Sequence, residues 1–116
     1  MRKKKEIKEK DLDKVFSIAV RKVGYCERCF RTKPQVQLQC SHYYTRNARS
    51  VRFDFDNCDC LCSGCHRFFE GRKNAEYREW KIKKLGLAKF KALTKRYYKL
   101  KQWTSKERST LFLSIK

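Results

Sequence analysis

No apolar run in this chain of 116 residues approaches the length of a membrane span. Its charged N-terminus lacks the apolar core that a signal peptide carries. There is no internal repeat, no low-complexity linker and no lipidation motif. Cysteine is plentiful, but the count of seven is odd and the residues are clustered. That argues against the paired framework of a secreted disulfide protein. These absences predict a reducing, cytoplasmic setting with no membrane partner and no small-molecule cofactor. Acidic residues are scarce too: 12 against 31 basic ones, for a net charge of +19. Such an excess favours a polyanionic partner, and nucleic acid fits better than a membrane surface. From Trp80 to Lys106 there is no acidic residue among ten basic ones. An ordinary solvated helix face mixes signs. An unmixed basic face beside Tyr97, Tyr98 and Trp103 is better explained by phosphate contacts, with Lys89, Lys95, Arg96 and Lys99 as candidates.

The length suits one domain, residues 1–116, with a modest core. What is present in quantity is the chemistry between Cys26 and His66. Cys26-Glu-Arg-Cys29 and Cys62-Ser-Gly-Cys65 are two Cys-x-x-Cys knuckles on either side of a long loop, a strong signal for one tetrahedral Zn²⁺ held by Cys26, Cys29, Cys62 and Cys65. Structural zinc contributes an apparent ~10–16 kcal/mol in small metallo-peptides, which a small core needs. Both histidines, His42 and His66, fall in this stretch, the second fused to a knuckle. That combination predicts a metal hairpin carrying chemistry as well as a staple.

The periodicities give three segments: an N-terminal helix (1–25), a zinc core (26–71) and basic C-terminal helices (72–116). Arg2 to Lys5 form a basic tip. Asp11 is the expected N-cap of a helix with Leu12, Val15, Phe16, Ala19 and Val23 at helical spacing, ended by Gly24. After a turn at Lys33-Pro34, Val36, Leu38 and Cys40 alternate with glutamines, a half-buried strand that delivers His42. Tyr43 to Ser50 read as a loop carrying Arg46 and Arg49. Val51 to Phe55 read as the second strand, with Arg52 in it, and Asp56-Asn57 as a turn. His66 to Phe69 open a helical turn ended at Gly71. Asn74 is an expected N-cap for a helix through Tyr77 and Trp80 to Leu85, stopped by Gly86. The next helix carries Phe90, Leu93, Tyr97 and Leu100. Thr104-Ser-Lys-Glu107 matches a capping box for a last helix burying Leu111, Phe112 and Ile115.

The order knuckle, strand-His, loop, Asn, knuckle-His resembles the HNH, or ββα-metal, nucleases. A closer resemblance is to the NinG (Rap) family of phage recombination endonucleases. It rests on Leu12-Asp-Lys-Val-Phe-Ser17, Cys40-Ser-His-Tyr-Tyr-Thr-Arg46, Val51-Arg-Phe-Asp54, Asn57, Cys62-Ser-Gly-Cys65, Gly71, Glu76-Tyr-Arg78 and Trp103-Thr-Ser-Lys-Glu107, and covers nearly the whole chain. The resemblance implies an α+β fold: a small zinc-stapled ββα-metal core flanked by N- and C-terminal helices. It also implies metal-assisted hydrolysis of DNA, acting on D-loops or Holliday junctions in a host-cell cytoplasm. His42 would be the general base, a role that suits an imidazole near neutral pH. Asn57 would buttress the loop carrying it. His66 would hold a catalytic Mg²⁺ or Mn²⁺. Ser41 stands where many HNH enzymes have an Asp or His ligand, so either Asp54 or Asp56 supplies a carboxylate or the metal binds weakly and is completed by substrate phosphate and waters. Arg46, Arg49 and Arg52 become phosphate contacts. Junction enzymes often act as dimers, so a homodimer is left open, although no heptad or exposed apolar stripe marks one. Cys40, Cys58 and Cys60 read first as small buried residues, and second as an alternative ligand set or a second zinc site with His42. Two rival readings stand beside the structure-specific nuclease: a non-catalytic zinc module that binds nucleic acid, and a sequence-specific homing or restriction-type HNH nuclease.

Overall fold

A computed structural model describes residues 6–72 and 74–115, with residues 71, 72 and 74 described by their backbone alone. The basic tip at Arg2–Lys5 and the capping side chain of Asn74 lie outside the described residues. Helix α1 spans Glu9–Arg21 and buries Leu12, Phe16 and Val20, one residue per turn. Its N-cap is Lys8, not Asp11. Asp11 instead stands at the third helical position, where its carboxylate accepts the Lys8 N–H at 2.9 Å. This is the return half of a capping box, so the acidic residue serves the helix start one turn further in. Val23 lies past the helix end and is exposed. Gly24, at φ +84°, turns the chain toward the first knuckle.

The sheet has two antiparallel strands, β1 (Leu38–His42) and β2 (Cys58–Cys62), in the register Leu38↔Cys62, Cys40↔Cys60, His42↔Cys58. Strand β1 delivers His42 as expected. The second strand, however, is not Val51–Phe55. That segment forms 3₁₀ turns at Arg49–Val51 and Phe55–Asn57, held by the Asp54 carboxylate accepting the Asp56 N–H at 3.0 Å. Val51 and Phe53 are buried by the turn geometry, and Phe55 is left exposed. An alternating pattern can therefore be satisfied without a ladder. The true strand was hidden because it contains a charged residue, Asp59, yet all five of its residues are buried. Asp59 is compensated from the next layer: it accepts from the Tyr77 hydroxyl at 2.6 Å, Lys81 Nζ at 2.8 Å and Lys84 Nζ at 2.5 Å.

Helix α2 (Ser63–Arg72) follows β2 directly and continues through Gly71. Helix α3 (Asn74–Leu85) and helix α4 (Leu87–Tyr97) are separated by Gly86 at φ +85°. An aromatic layer joins them to the sheet. Phe69 stacks on Tyr77 at 4.3 Å, and Tyr43 packs edge-on against Tyr77 and Phe90 at 5.0 and 5.6 Å. Phe90 and Leu93 are buried, whereas Leu100 lies beyond the helix end and is fully exposed. Helix α5 (Ser105–Ile115) starts with the expected capping box: Thr104 N–H to Glu107 Oε1 and Glu107 N–H to Thr104 Oγ1, both 3.1 Å. Leu111, Phe112 and Ile115 pack against the core but are only half-buried, because α5 lies on the outside of α1. The segment before α1 meets α5 there, with Arg108 Nε donating to the Ile7 carbonyl at 2.6 Å. The architecture is α+β: five helices around one small hairpin among the described residues. None of those helices is long and apolar enough to cross a membrane.

Candidate functional site

The two knuckles converge. The sulfurs of Cys26, Cys29, Cys62 and Cys65 all lie within 4.8 Å of one another. Cys29 and Cys62 sulfurs are 3.8 Å apart, close to the ~3.8 Å that a tetrahedral site with 2.3 Å zinc–sulfur bonds requires. Each knuckle is folded around its first sulfur: Cys29 N–H points to Cys26 Sγ and Cys65 N–H to Cys62 Sγ, both at 3.4 Å. Burial works against ionising Cys26, but N–H groups of Cys29, Cys62 and Arg28 outweigh it and bring the thiol down to about 6. Arg28 Nη1 also donates to Cys65 Sγ at 3.3 Å, and its guanidinium lies 4.4 Å over the Phe68 ring. Four thiolates and one dication leave two negative charges, so a cation and several N–H donors are what such a cluster needs. This cluster can hold a structural metal such as zinc. Arg28 was not legible as its partner, since only the fold brings it across to Cys65.

His42 sits at the end of β1, where its Nε2 donates to the Arg52 carbonyl at 3.0 Å. A carbonyl only accepts, so the neutral ring carries its proton on Nε2 and presents Nδ1 as a lone pair. Burial disfavours the charged ring and sets its pKa below the ordinary 6.5, with Arg46 and Arg52 adding to that direction. Asn57 is fully buried beneath the following loop. Its Nδ2 donates to the carbonyls of Tyr44 (2.9 Å) and Val51 (3.1 Å), its Oδ1 accepts the Tyr44 N–H (2.8 Å), and its own carbonyl accepts the Tyr43 N–H (2.8 Å). One side chain thus ties both ends of the segment that follows His42.

His66 stands in the first turn of α2. Its Nδ1 meets Gln39 Oε1 at 2.8 Å, and its Nε2 lies 3.5 Å from Glu70 Oε1, one turn along the helix. His42 and His66 line the same two clefts. One, of about 410 Å³, also holds Thr45, Arg46, Asn47 and Glu70; the other, of about 440 Å³, also holds Asp13, Ser17, Arg21 and Gln39. Gln39 and Glu70 were missed from the sequence. The i,i+4 step from His66 to Glu70 was the available signal. Asp54 is not brought to this place. It pairs with Arg96 Nε at 2.7 Å and lines a separate hollow with Phe53, Asp56 and Trp103. Asp56 pairs with Arg96 as well, at 3.3 Å. Ser41 lines the smaller cleft too, but it is buried there, with its hydroxyl 2.9 Å from that of Tyr77.

The candidate phosphate contacts divide by what they touch. Arg52 is engaged internally by Asp13 (2.5 Å) and Glu9 (3.0 Å), and Arg96 by Asp54 and Asp56. Arg49 meets Glu9 at 3.4 Å but stays half exposed, and Arg46 projects at the cleft mouth, 3.9 Å from Asp13. Lys89, Lys95 and Lys99 are exposed along α4 and just beyond it. Tyr97 of α4 stacks on Tyr44 at 3.9 Å, which ties this basic helix to the loop after His42.

Neither a curated protein nor a solved structure matches the chain. A family model does, one described as the bacteriophage lambda NinG protein, and it spans residues 1–115. With knuckles, strand histidine, buttressing asparagine and basic helices all contained in that span, the chain belongs to the NinG family.

Proposed function

We propose that this protein is a divalent-cation-dependent DNA endonuclease of the HNH, ββα-metal type, acting on branched recombination intermediates such as D-loops and Holliday junctions. The observation that carries the reading is His42: its Nε2 is anchored on a backbone carbonyl, and its ring shares a cleft with His66 and Glu70. A base for in-line hydrolysis must keep one nitrogen unprotonated and aimed at water, and the Arg52 carbonyl enforces that tautomer. Asn57 fixes the loop so the ring does not swing. His66 and Glu70 fit a Mg²⁺ or Mn²⁺ site, and that cation would supply charge to the non-bridging and leaving oxygens. Glu70 is the carboxylate that best replaces the absent Asp or His at position 41, since Asp54 is committed to Arg96. Zinc at the four cysteines would hold the hairpin against α2. Arg46 and the exposed lysines of α4 would hold phosphates, which positions the duplex without reading bases.

The rival, a non-catalytic module that binds nucleic acid, is favoured by one observation: Ser41, buried against Tyr77, brings the cleft neither a carboxylate nor an imidazole. Incubating the parent and His42→Ala with Mn²⁺ or Mg²⁺, a four-way junction and a linear duplex separates the two. Junction cleavage by the parent and none by the variant is expected. Binding without cleavage by the parent supports the module. Cleavage of the linear duplex at one sequence would point to the homing or restriction type.

A further inference from the structure

A second set of metal-binding donors lies on the hairpin, outside the four-cysteine cluster. The strand register places His42 opposite Cys58 and Cys40 opposite Cys60, so Cys40, His42 and Cys58 share one face of the sheet. Their two sulfurs and a ring nitrogen all lie within 4.8 Å of one another. Tetrahedral zinc would set sulfur–sulfur at about 3.8 Å and sulfur–nitrogen at about 3.6 Å, so side-chain adjustment alone closes the set. Neither cysteine is in a disulfide. Cys58 is buried, whereas Cys40 and His42 line the cleft of about 440 Å³ beside Ser17, Arg21 and Gln39, which gives an entry path. Cys60 is buried on the same face but is not among the converging donors.

We propose that Cys40, His42 and Cys58 form a second site for a thiophilic divalent cation, zinc or cadmium, with its fourth position open to water. Two sulfurs and one nitrogen select such ions over Mg²⁺ or Mn²⁺, which prefer oxygen. Binding displaces the two thiol protons, so the site is filled more readily as pH rises. The site has a consequence for His42. With Nε2 donated to the Arg52 carbonyl, Nδ1 is the nitrogen left for either a metal or the proton of water. It cannot serve both, so a thiophilic ion here takes the base out of service. That consequence rests on the nuclease reading; the site itself does not.

The test uses the full chain under a non-chelating reductant, loaded with Cd²⁺ or Co²⁺, freed of loose ion by gel filtration and assayed for metal. Two ions per chain are expected for the parent and one each for Cys40→Ser and His42→Ala, with the thiolate-to-cobalt absorption falling in step in Cys40→Ser. Because Cys58 is buried, these two variants carry the test, and an unchanged circular dichroism spectrum shows that each is folded. One ion in the parent, or two in both variants, overturns the site. The second arm adds zinc beyond one equivalent to the Mg²⁺-dependent cleavage reaction. Inhibition of the parent but not of Cys40→Ser is expected. Two bound ions with uninhibited cleavage would overturn the switch and leave the site standing. A parent that never cleaves overturns the switch along with the nuclease reading, while the metal count still decides the site.

Discussion

His42 carries the most consequence for one side chain. Its pKa is depressed, burial being the leading cause, so the folded protein takes up that proton less readily than the unfolded chain. Its contribution to stability is complete above the ordinary 6.5 and is lost as pH falls through the lower folded value. For cleavage the sign favours acid tolerance: the base stays neutral below pH 6.5, and the acid limb of kcat/KM should show an apparent pKa under 6.5. A limb at or above that value would remove His42 from the role. Asn57 is the second residue with a sharp expectation. Asn57→Asp keeps the shape but faces two carbonyls, of Tyr44 and Val51, with an acceptor. Each lost buried partner costs about 1–3 kcal/mol, so the variant should melt well below the parent and cleave poorly even where it remains folded.

Among the elements, α3 depends most on charge buried against β2. Lys81 and Asp59 are both fully buried, 2.8 Å apart. Burial pushes the Lys81 ammonium downward, while Asp59 and Glu27 hold that of the more exposed Lys84 up against its own partial burial. Breaking a buried pair from one side typically costs about 3–5 kcal/mol, because the other charge is left behind. Lys84 reaches the same carboxylate oxygen, so Lys81→Met should fall toward the low end of that range by denaturant unfolding, and Lys81→Met with Lys84→Met well beyond either single change. Additive single effects would show that the two lysines do not share one load. The same network fixes Tyr77, whose hydroxyl touches both Asp59 and Ser41, so helix α3 and the strand beneath His42 are set as one unit.

At the scale of the whole molecule, stability and binding rest on different supports. Four converging cysteines bring the hairpin, α2 and the first knuckle together, and with zinc held there a strong chelator should unfold the core cooperatively, read as lost circular dichroism and recovered on adding zinc. An unchanged spectrum in the chelator would mean that the apolar core suffices. Binding should follow the charge of +19. Replacing Lys89, Lys95 and Lys99 with Gln should flatten the slope of log K against log salt by about 2.7 if all three contact duplex phosphates, at roughly 0.9 per contact. Arg52→Gln should instead lower stability, since Asp13 and Glu9 already neutralise it. The sequence alone determined the two cysteine knuckles, the strand ending in His42, the first and last helices and the basic C-terminal face, because spacing and periodicity are local properties of a chain. Tertiary structure decided what local patterns cannot encode. Val51–Phe55 became turns because Asp54 and Asn57 found backbone partners, and Cys58–Cys62 became the strand because distant lysines neutralised Asp59. Only folding across the hairpin spent Asp54 on Arg96 and set Gln39 beside His66, since each of these pairings joins residues far apart in the sequence, whereas Glu70 stands one helical turn from His66 and was legible in principle.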